Sequence, residues 1–310
     1  MELPEKLKEL YRHWPVHGVW EPSTTTPPHF KEVGLLPQIT WFVLERMKMW
    51  EKKTRGEQAP YSNNAILATH RFCNIYRELD RQTIEFHTLL NPLRDDMALW
   101  LLNMFYCRVV ARPETIKFTG LLSFDQEHNE QVRKNLLNAP YPRYGTPYVF
   151  PISVIQKSKY PTREDFVSRY LPSIIKSVAT KIETWDRLST YDGVQQVVNI
   201  FKFPFFFRWT EVLIDTAYQF PHRVSLFGRF PVGPGALPTV ERIAPENDPT
   251  YVVGRLTGIS LDTRLTYNGD LVRLSSENWE GICCEFRKFT NLSNGNGRVR
   301  KYVQKPNTMF

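Results

Sequence analysis

Apolar residues recur at intervals of three and four positions along most of the chain. The segments with the clearest spacing are 35–52, 63–90, 93–111, 163–186, 193–203 and 276–289. This spacing puts the apolar side chains on one face of a helix, whereas the sustained alternation typical of a strand is scarce. The pattern therefore predicts a mainly α-helical protein.

The most apolar run, MALWLLNMFY at 97–106, predicts a helix of the core. Asp95 and Asp96 suit its first turn, and Arg108 and Arg112 suit its end, because the helix dipole favours charges of these signs there. The run is much shorter than the roughly 20 residues that cross a bilayer. We therefore expect no membrane span.

Prolines at short intervals and Gly145 interrupt any regular element between 138 and 163, which indicates a connector. The segment 244–272 is also irregular, and its Asn268-Gly269-Asp270 sequence is typical of a turn. These breaks predict an N-terminal helical lobe at 1–137, the connector at 138–163, a C-terminal helical lobe at 164–302 and a tail at 303–310.

The 310 residues include 42% hydrophobic residues, enough for a sizeable core, and carry a formal charge of +8. This excess of cations favours a polyanionic partner such as DNA. The charged N-terminus lacks the features of a secretory signal, and the four cysteines form no C-x-x-C pair. We expect a cytoplasmic protein without disulfides, and no metal site, because His70 and His87 are isolated.

The segment RFCNIYRELDR at 71–81 is unusually rich in arginine. On a helix, Arg71, Asn74, Arg77 and Arg81 would form one polar stripe, and Asp80 could fix a guanidinium group. The generic interpretation is a solvated helix face with local ion pairs. The use of arginine without lysine favours bidentate recognition of phosphate or carboxylate instead.

Two further motifs follow. In FPVGPGALPTVERI at 230–243, glycines precede a short helix, so the amides of Gly233, Gly235 and Ala236 could bind a DNA phosphate, although most such sequences are ordinary turns. In WEGICCEFRKF at 279–289, Glu285 and Lys288 are three apart and can pair, which is also typical of a plain surface helix.

The three motifs in this order resemble the amino acid:DNA transferases, also described as α-glutamyl/putrescinyl-thymine pyrophosphorylases, of bacteriophages that hypermodify thymine. The matching residues are RFCNIYRELDRQT at 71–83, Gly-Pro-Gly at 233–235 and CEFRKF at 284–289. The resemblance implies a helical bundle similar to the helix–hairpin–helix DNA glycosylases. It also implies that an amino acid or polyamine replaces the pyrophosphate of 5-pyrophosphoryloxymethyluracil in DNA, in an infected bacterial host.

The resemblance also implies roles for individual residues. Pyrophosphate would be held by Arg71, Arg77, Arg81, Asn74 and Lys288, and the DNA backbone by Gly233, Gly235 and Ala236. Asp80 or Glu285 would accept a proton from the amine, and Asp80 alternatively braces the arginines. Cys284 would add to the ring if Arg287 or Lys288 lowered its pKa. Tyr76, or else Trp279 or Phe286, would stack on an extrahelical base.

No cofactor is expected. The sequence has no glycine-rich nucleotide loop followed by a lysine, so a separate DNA-base kinase would supply the pyrophosphate. Two other hypotheses stay open, a helix–hairpin–helix glycosylase acting on a modified base and a noncatalytic DNA-binding module.

Overall fold

The computed structural model describes residues 1–17, 34–145 and 150–297, and the predicted tail at 303–310 lies outside them. The prediction of a mainly α-helical protein is confirmed. The helices up to residue 138 are α1 (Glu5–Leu10), α2 (Trp14–His17), α3 (Leu35–Thr54), α4 (Ala65–Thr69), α5 (Arg81–Leu90), α6 (Met97–Val110), α7 (Pro113–Thr119) and α8 (Gln126–Asn138), with 3₁₀ turns at Arg77–Leu79 and Asn91–Leu93.

The second half is built in the same way. Its helices are α9 (Ile152–Ile155), α10 (Arg163–Asp165), α11 (Leu171–Glu183), α12 (Thr190–Phe201), α13 (Phe206–Gln219), α14 (Leu237–Ile243), α15 (Pro249–Leu256) and α16 (Ser276–Ser293). A π-helical turn, Phe166–Tyr170, joins α10 to α11. The strands are β1 (Leu188–Ser189), which pairs in parallel with β2 (Val224–Ser225), and β3 (Thr266–Tyr267), which pairs antiparallel with β4 (Asp270–Leu271).

The chain forms two compact units. Unit 1 comprises Met1–Glu9, Trp14–Arg81 and Leu226–Phe310, and unit 2 comprises Leu10–His13 and Gln82–Ser225. This division differs from the two lobes expected on either side of the proline-rich connector. The connector lies within unit 2 and includes α9, so its prolines interrupt helices without separating the units.

Unit 1 is organised around α16, which packs against α3, α4, α14 and α15. Ser275 and Asn278 form a capping box at the start of α16, in which each side chain bonds the backbone of the other. Such a box satisfies N–H groups that a helix start otherwise leaves open. The predicted turn is also present, because Asn268 and Gly269 have φ angles of 52° and 90° and connect β3 to β4. Two positive φ angles in a row are those of a tight hairpin turn.

The prediction of one helical segment over 63–90 is wrong. Asn64 caps α4 by accepting bonds from the N–H groups of Ile66 and Leu67, and α4 ends at Thr69. An extended segment and one 3₁₀ turn then lead to α5, which begins at Arg81. The arginine-rich motif therefore lies mostly in a loop.

Unit 2 is organised around α6, which packs against α11 and α13 and is buried along almost its whole length. Asp96 caps the helix by accepting a bond from the N–H of Leu99, as its position predicted. The apolar run at 97–106 is thus a core helix. No helix in the three described ranges is long and apolar enough to cross a membrane.

A charged network is enclosed in unit 2. Arg108 donates two hydrogen bonds to the carboxylate of Asp215, both of 2.6 Å, and His87 Nε2 lies 3.2 Å from Asp215 Oδ1. Gln219 Nε2 lies 2.9 Å from His87 Nδ1 and donates to the Leu10 carbonyl, so Nδ1 is an acceptor and Nε2–H faces the carboxylate. His87 and Asp215 are fully buried, and the paired charges compensate each other.

Candidate functional site

The motif at 71–81 is a closed loop, which we call the arginine loop (residues 71–80). The side-chain amide of Asn74 donates to the Leu79 carbonyl at 2.9 Å, and Asp80 Oδ1 accepts the backbone N–H of Asn74 at 3.3 Å. Asn and Asp side chains that bond nearby backbone in this way compete with helix formation. The polar stripe predicted on a helix is therefore absent.

Helix α16 holds the backbone of the arginine loop. Glu285 Oε2 accepts the N–H of Cys73 at 3.1 Å, and Lys288 donates to the carbonyl of Arg71. Lys288 also pairs with Glu285 at 3.4 Å and lies 4.6 Å from the centre of the Phe72 ring. The acidic and basic residues of the third motif thus recognise the main chain of the first.

Helix α3 holds the same stretch of backbone. Arg46 Nη2 donates to the carbonyls of Phe72 and Cys73, at 3.3 and 3.0 Å, and its guanidinium lies 5.5 Å from the centre of the Phe72 ring. The Phe72 ring is buried. Two cations, from α3 and α16, therefore contact the ring, as cation–π interactions allow.

Arginine side chains of the motif reach the surface. Arg71 and Arg81 are exposed, and Arg77 is half-buried. The loop backbone between Arg71 and Arg81 is held by hydrogen bonds. The positive charges of these two residues are therefore presented at the two ends of an ordered segment. A guanidinium group in such a position suits bidentate binding of a phosphate.

Lys53, at the end of α3, extends this positive region. Desolvation lowers the pKa of Lys53, the charges of Arg46 and Arg71 lower it further, and the charge of Asp80 acts in the opposite direction. Cations that depress one another's protonation are stabilised when an anion binds among them. The surroundings of Lys53 therefore favour an anionic ligand.

The Gly-Pro-Gly turn packs against α16. The N–H of Gly233 donates to Glu280 Oε1 at 3.0 Å, and the N–H of Ala236 donates to the Gly233 carbonyl at 3.1 Å. A Cβ atom on Gly235 would lie 2.5 Å from Cys284 Sγ, so the thiol or the turn would have to move. Two of the amides expected to bind DNA are thus occupied within the protein, and Gly235 is needed for close packing.

Cys284 is not an activated thiol. Burial raises its pKa to about 11, and the charges of Glu280 and Glu285 act in the same direction, which outweighs the opposite effect of Lys288 and Arg287. A thiol with this pKa is protonated near neutral pH and is a poor nucleophile. The proposed covalent role is therefore not supported, since it required a lowered pKa.

The ring of Tyr76 is fully buried, so it does not offer a face to a base in this structure. Its hydroxyl lies 2.7 Å from Thr263 Oγ1 and donates to the Val272 carbonyl at 2.9 Å. Trp279 and Phe286 are buried as well. These aromatic side chains contribute to the core of unit 1.

The three motifs, which are far apart in the sequence, meet in unit 1: α16 bonds Arg71 and Cys73 of the first motif and Gly233 of the second. Sequence reasoning missed Arg46, Lys53 and Glu280. Arg46 lies in the predicted segment 35–52 and Lys53 directly follows it; the two are seven residues apart and share a face of α3, which could have identified them. In the described residues no group of three or more His, Cys, Asp or Glu side chains could hold a metal ion.

The family match and the similar protein found for this chain agree on one family. Residues 34–248, more than half of the chain, match the family described as 5-hmdU DNA kinase, helical domain. A protein of Bacillus phage SP10 named 5-hmdU DNA kinase is 31% identical over 130 residues, which cover 37% of this chain and 20% of the phage protein. The alignment thus spans about a fifth of that relative's length. No solved structure matches the chain.

This result corrects the resemblance drawn from the motifs. The expected family, the amino acid:DNA transferases, is wrong, and so is the expected replacement of pyrophosphate by an amine, because the matching family is that of a DNA-base kinase. The match includes the arginine loop and the Gly-Pro-Gly turn but ends before α16. The chain belongs to the family of 5-hmdU DNA kinase helical domains.

Proposed function

We propose that the chain takes part in the phosphorylation of 5-hydroxymethyluracil in DNA, and that its helical units bind the DNA that carries this base. The observation that carries the proposal is the family match over residues 34–248, which contains the arginine loop. The relative from Bacillus phage SP10 supports the same base as the target. In such a reaction the hydroxymethyl group loses its proton to a base and its oxygen bonds to the terminal phosphorus of a nucleoside triphosphate. The bond from that phosphorus to the bridging oxygen breaks, and a nucleoside diphosphate leaves.

The arginine loop and Arg81, the first residue of α5, would contact the DNA backbone. Arg71 and Arg81 are exposed, Lys53 lies among like charges, and the whole chain carries a formal charge of +8. Each phosphate that a protein neutralises releases condensed counterions, which makes binding favourable and dependent on salt. The roles first expected for Arg71, Arg77 and Arg81 at a pyrophosphate become, in this proposal, contacts with phosphates of the strand.

Asn74, Asp80, Glu285 and Lys288 would position the loop without touching the base. Asn74 and Asp80 close the loop on itself, and Glu285 and Lys288 bond its backbone. Two roles were expected for Asp80, either accepting a proton or bracing the arginines. A positioning role agrees better with its bond to the Asn74 backbone. A rigid loop binds more tightly, because less conformational freedom is lost on binding.

The Gly-Pro-Gly turn is a second proposed contact. The turn leads directly into α14, but strand β2 and an irregular segment precede it, so only the second helix of a helix–hairpin–helix arrangement is present. Since Gly233 and Ala236 use their N–H groups internally, we propose that this turn contributes shape and close packing on α16 more than amide donors.

The test compares two labelled duplexes that differ only in one base, 5-hydroxymethyluracil or thymine, by fluorescence anisotropy at several salt concentrations. We expect tighter binding of the modified duplex. For the Arg71→Gln and Arg81→Gln variants we expect weaker binding and a salt slope reduced by about one contact each. Lys117→Gln, an exposed cation on α7, is the matched control and should change neither value.

Equal affinity for the two duplexes would contradict the assignment of the base, and absence of binding at low salt would contradict the assignment of DNA. Incubation with ATP, followed by digestion to nucleosides, assays the transfer itself. The expected product is a phosphorylated 5-hydroxymethyl nucleoside from the modified duplex and none from the thymine duplex. If binding is retained and no such product forms, the transfer step is not a property of this chain.

A further inference from the structure

Arg163, in unit 2, is an arginine without an acidic partner. It is half-buried at the start of α10, and within the described residues its guanidinium group donates no hydrogen bond and has no carboxylate oxygen within 4 Å. Its Nε atom is completely buried. Taking a charge out of water without pairing it costs free energy. The charge of Arg163 therefore does not by itself stabilise the fold.

The carboxylates next to Arg163 in the chain are occupied by other groups. Glu164 accepts a hydrogen bond from the hydroxyl of Tyr144, and Asp165 accepts one of 2.7 Å from Nε of Arg133. The pair of Asp165 and Arg133 joins α10 to α8. Arg163 is left out of these bonds, so its N–H groups are available to an acceptor from outside the protein.

Two aromatic rings fix the guanidinium group of Arg163. Its Cζ atom lies 3.9 Å from the centre of the Tyr144 ring and 5.1 Å from that of the Phe150 ring. The residue after Tyr144 is held as well, because the N–H of Gly145 donates to the carbonyl of Val110, at the end of α6, at 2.9 Å. A guanidinium group that stacks on a ring keeps its N–H groups in its own plane, free to bond an acceptor. We call the side chains of Arg163, Tyr144 and Phe150 the Arg163 site.

The charges around the Arg163 site favour an added anion. Desolvation lowers the pKa of Arg163, and Tyr144 and Glu164 oppose that effect only in part. Arg143 is a second cation, whose Nη1 lies 3.8 Å from Glu164 Oε1, so two positive charges surround one negative charge. An anion that bonds the open N–H groups would complete the counter-charge, and the guanidinium fork fits pairs of phosphate or carboxylate oxygens.

We propose that the Arg163 site binds a phosphate of a DNA strand, so that unit 2 contributes its own contact with the DNA. This inference rests on the proposed function, because that function brings DNA to the protein. A DNA phosphate suits the site better than the carboxylate of a protein partner, since each nucleotide carries one negative charge and the chain has a formal charge of +8. Arg163 donates to two oxygens of the phosphate, and the ring of Tyr144 keeps these donors oriented.

The test measures the affinity for a labelled DNA duplex at several salt concentrations by fluorescence anisotropy. Arg163→Gln should weaken binding about tenfold and reduce the salt slope by about one phosphate contact. Arg163→Lys retains the charge without the planar fork, so the slope should be kept and the affinity should fall less. Arg169→Gln is the matched control. It removes the same charge from an arginine that is already paired with Glu130 at 2.9 Å, and it should change neither value.

Thermal unfolding without DNA separates binding from folding. Because the charge of Arg163 is unpaired, Arg163→Gln should leave the unfolding temperature nearly unchanged. If the unfolding temperature and the affinity both fall in Arg163→Gln while its salt slope stays that of the wild type, the effect is structural and the inference is overturned.

The remaining outcomes separate this inference from the proposed function. If the wild-type protein binds no DNA, the proposed function fails and the inference fails with it. If the wild type binds DNA and Arg163→Gln binds with the same affinity and slope, DNA binding stands and the Arg163 site is not one of its contacts. If, in that case, inorganic phosphate raises the unfolding temperature of the wild type but not of Arg163→Gln, the site takes a free phosphate compound instead of the DNA backbone.

Discussion

Units 1 and 2 use their charged side chains in different ways. In unit 2, Arg108 and Asp215 neutralise each other in the interior, away from solvent. In unit 1, Arg46, Glu285 and Lys288 bond backbone atoms of a loop near the surface. The comparison teaches that charges paired with each other hold helices together, whereas charges bound to a backbone shape a surface that can still meet a ligand.

The largest expected effect is the loss of the buried carboxylate in unit 2. Asp215→Ala leaves Arg108 buried without its counter-charge, and loss of one partner of a buried ion pair costs about 3–5 kcal/mol. Urea denaturation followed by circular dichroism would measure the fall in the free energy of unfolding. Asp95→Ala breaks the exposed pair with Arg12 and should leave the curve nearly unchanged. Equal effects of the two substitutions would refute the structural role of the network.

The second-largest expected effect is the loss of close packing at the Gly-Pro-Gly turn in unit 1. Gly235→Ala forces a Cβ atom against Cys284 Sγ, so we expect a loss of about 1–3 kcal/mol in unfolding free energy. Adding Cys284→Ala removes the sulfur and should restore most of the loss, which a double-mutant cycle would measure. Gly281→Ala on α16 meets no atom within 4 Å and serves as the control. Additive effects of the two substitutions would contradict the contact.

A smaller, local effect is expected where α16 holds the arginine loop. Glu285→Ala removes the acceptor of the Cys73 N–H, so hydrogen exchange in residues 71–74 should accelerate, with a local loss of about 1 kcal/mol. Glu285→Gln retains an acceptor, so its exchange rate at residues 71–74 should lie between those of the wild type and Glu285→Ala. Exchange in α6 should not change in either variant. Unaltered exchange at 71–74 in Glu285→Ala would mean that this bond does not order the loop.

The smallest effect concerns acid stability in unit 1. Desolvation acts to raise the pKa of Glu2, but bonds from Lys8, Thr266 and the N–H groups of Asn268 and Gly269 outweigh it and hold the pKa at about 2. Since the usual value is 4.5, this contribution to stability is present above pH 4.5 and is lost as the pH falls towards 2. Comparing acid denaturation of Glu2→Gln with wild type would test this. A constant difference between the two curves from pH 7 to 2 would contradict it.

Much of the helical fold follows from local sequence. The periodicity at 35–52 and 276–289, the caps around 95–110 and the Asn-Gly turn at 268–269 each specify their structure through neighbours a few residues away. The break within 63–90 could not be seen in this way. Its apolar spacing agrees with a helix. The bonds that hold the loop are partly local, from Asn74 and Asp80, and partly from Glu285 and Lys288, more than 200 residues distant.

The candidate site was also predictable from the sequence only where the interactions are local. The sequence identified Glu285 and Lys288 as residues of interest, but it could not reveal that their charged groups bind backbone instead of substrate. Arg108 was placed correctly near the end of α6, and its partner Asp215 lies on a helix that periodicity alone does not connect to it. The family resemblance was wrong because it rested on three short motifs, of which CEFRKF at 284–289 lies outside the matching residues 34–248.

Unit 1 is assembled from segments on both sides of unit 2, and this has a consequence for synthesis on the ribosome. The arginine loop emerges early, whereas Glu285 and Lys288, which hold it, follow more than 200 residues later, after unit 2 and residues 226–284. At bacterial-scale elongation of about 5–20 residues per second, the loop waits roughly 10–40 seconds for its partners. During that interval Phe72 and the aromatic residues of α3 lack their cover from α16, so the nascent chain exposes an apolar surface that the finished protein buries.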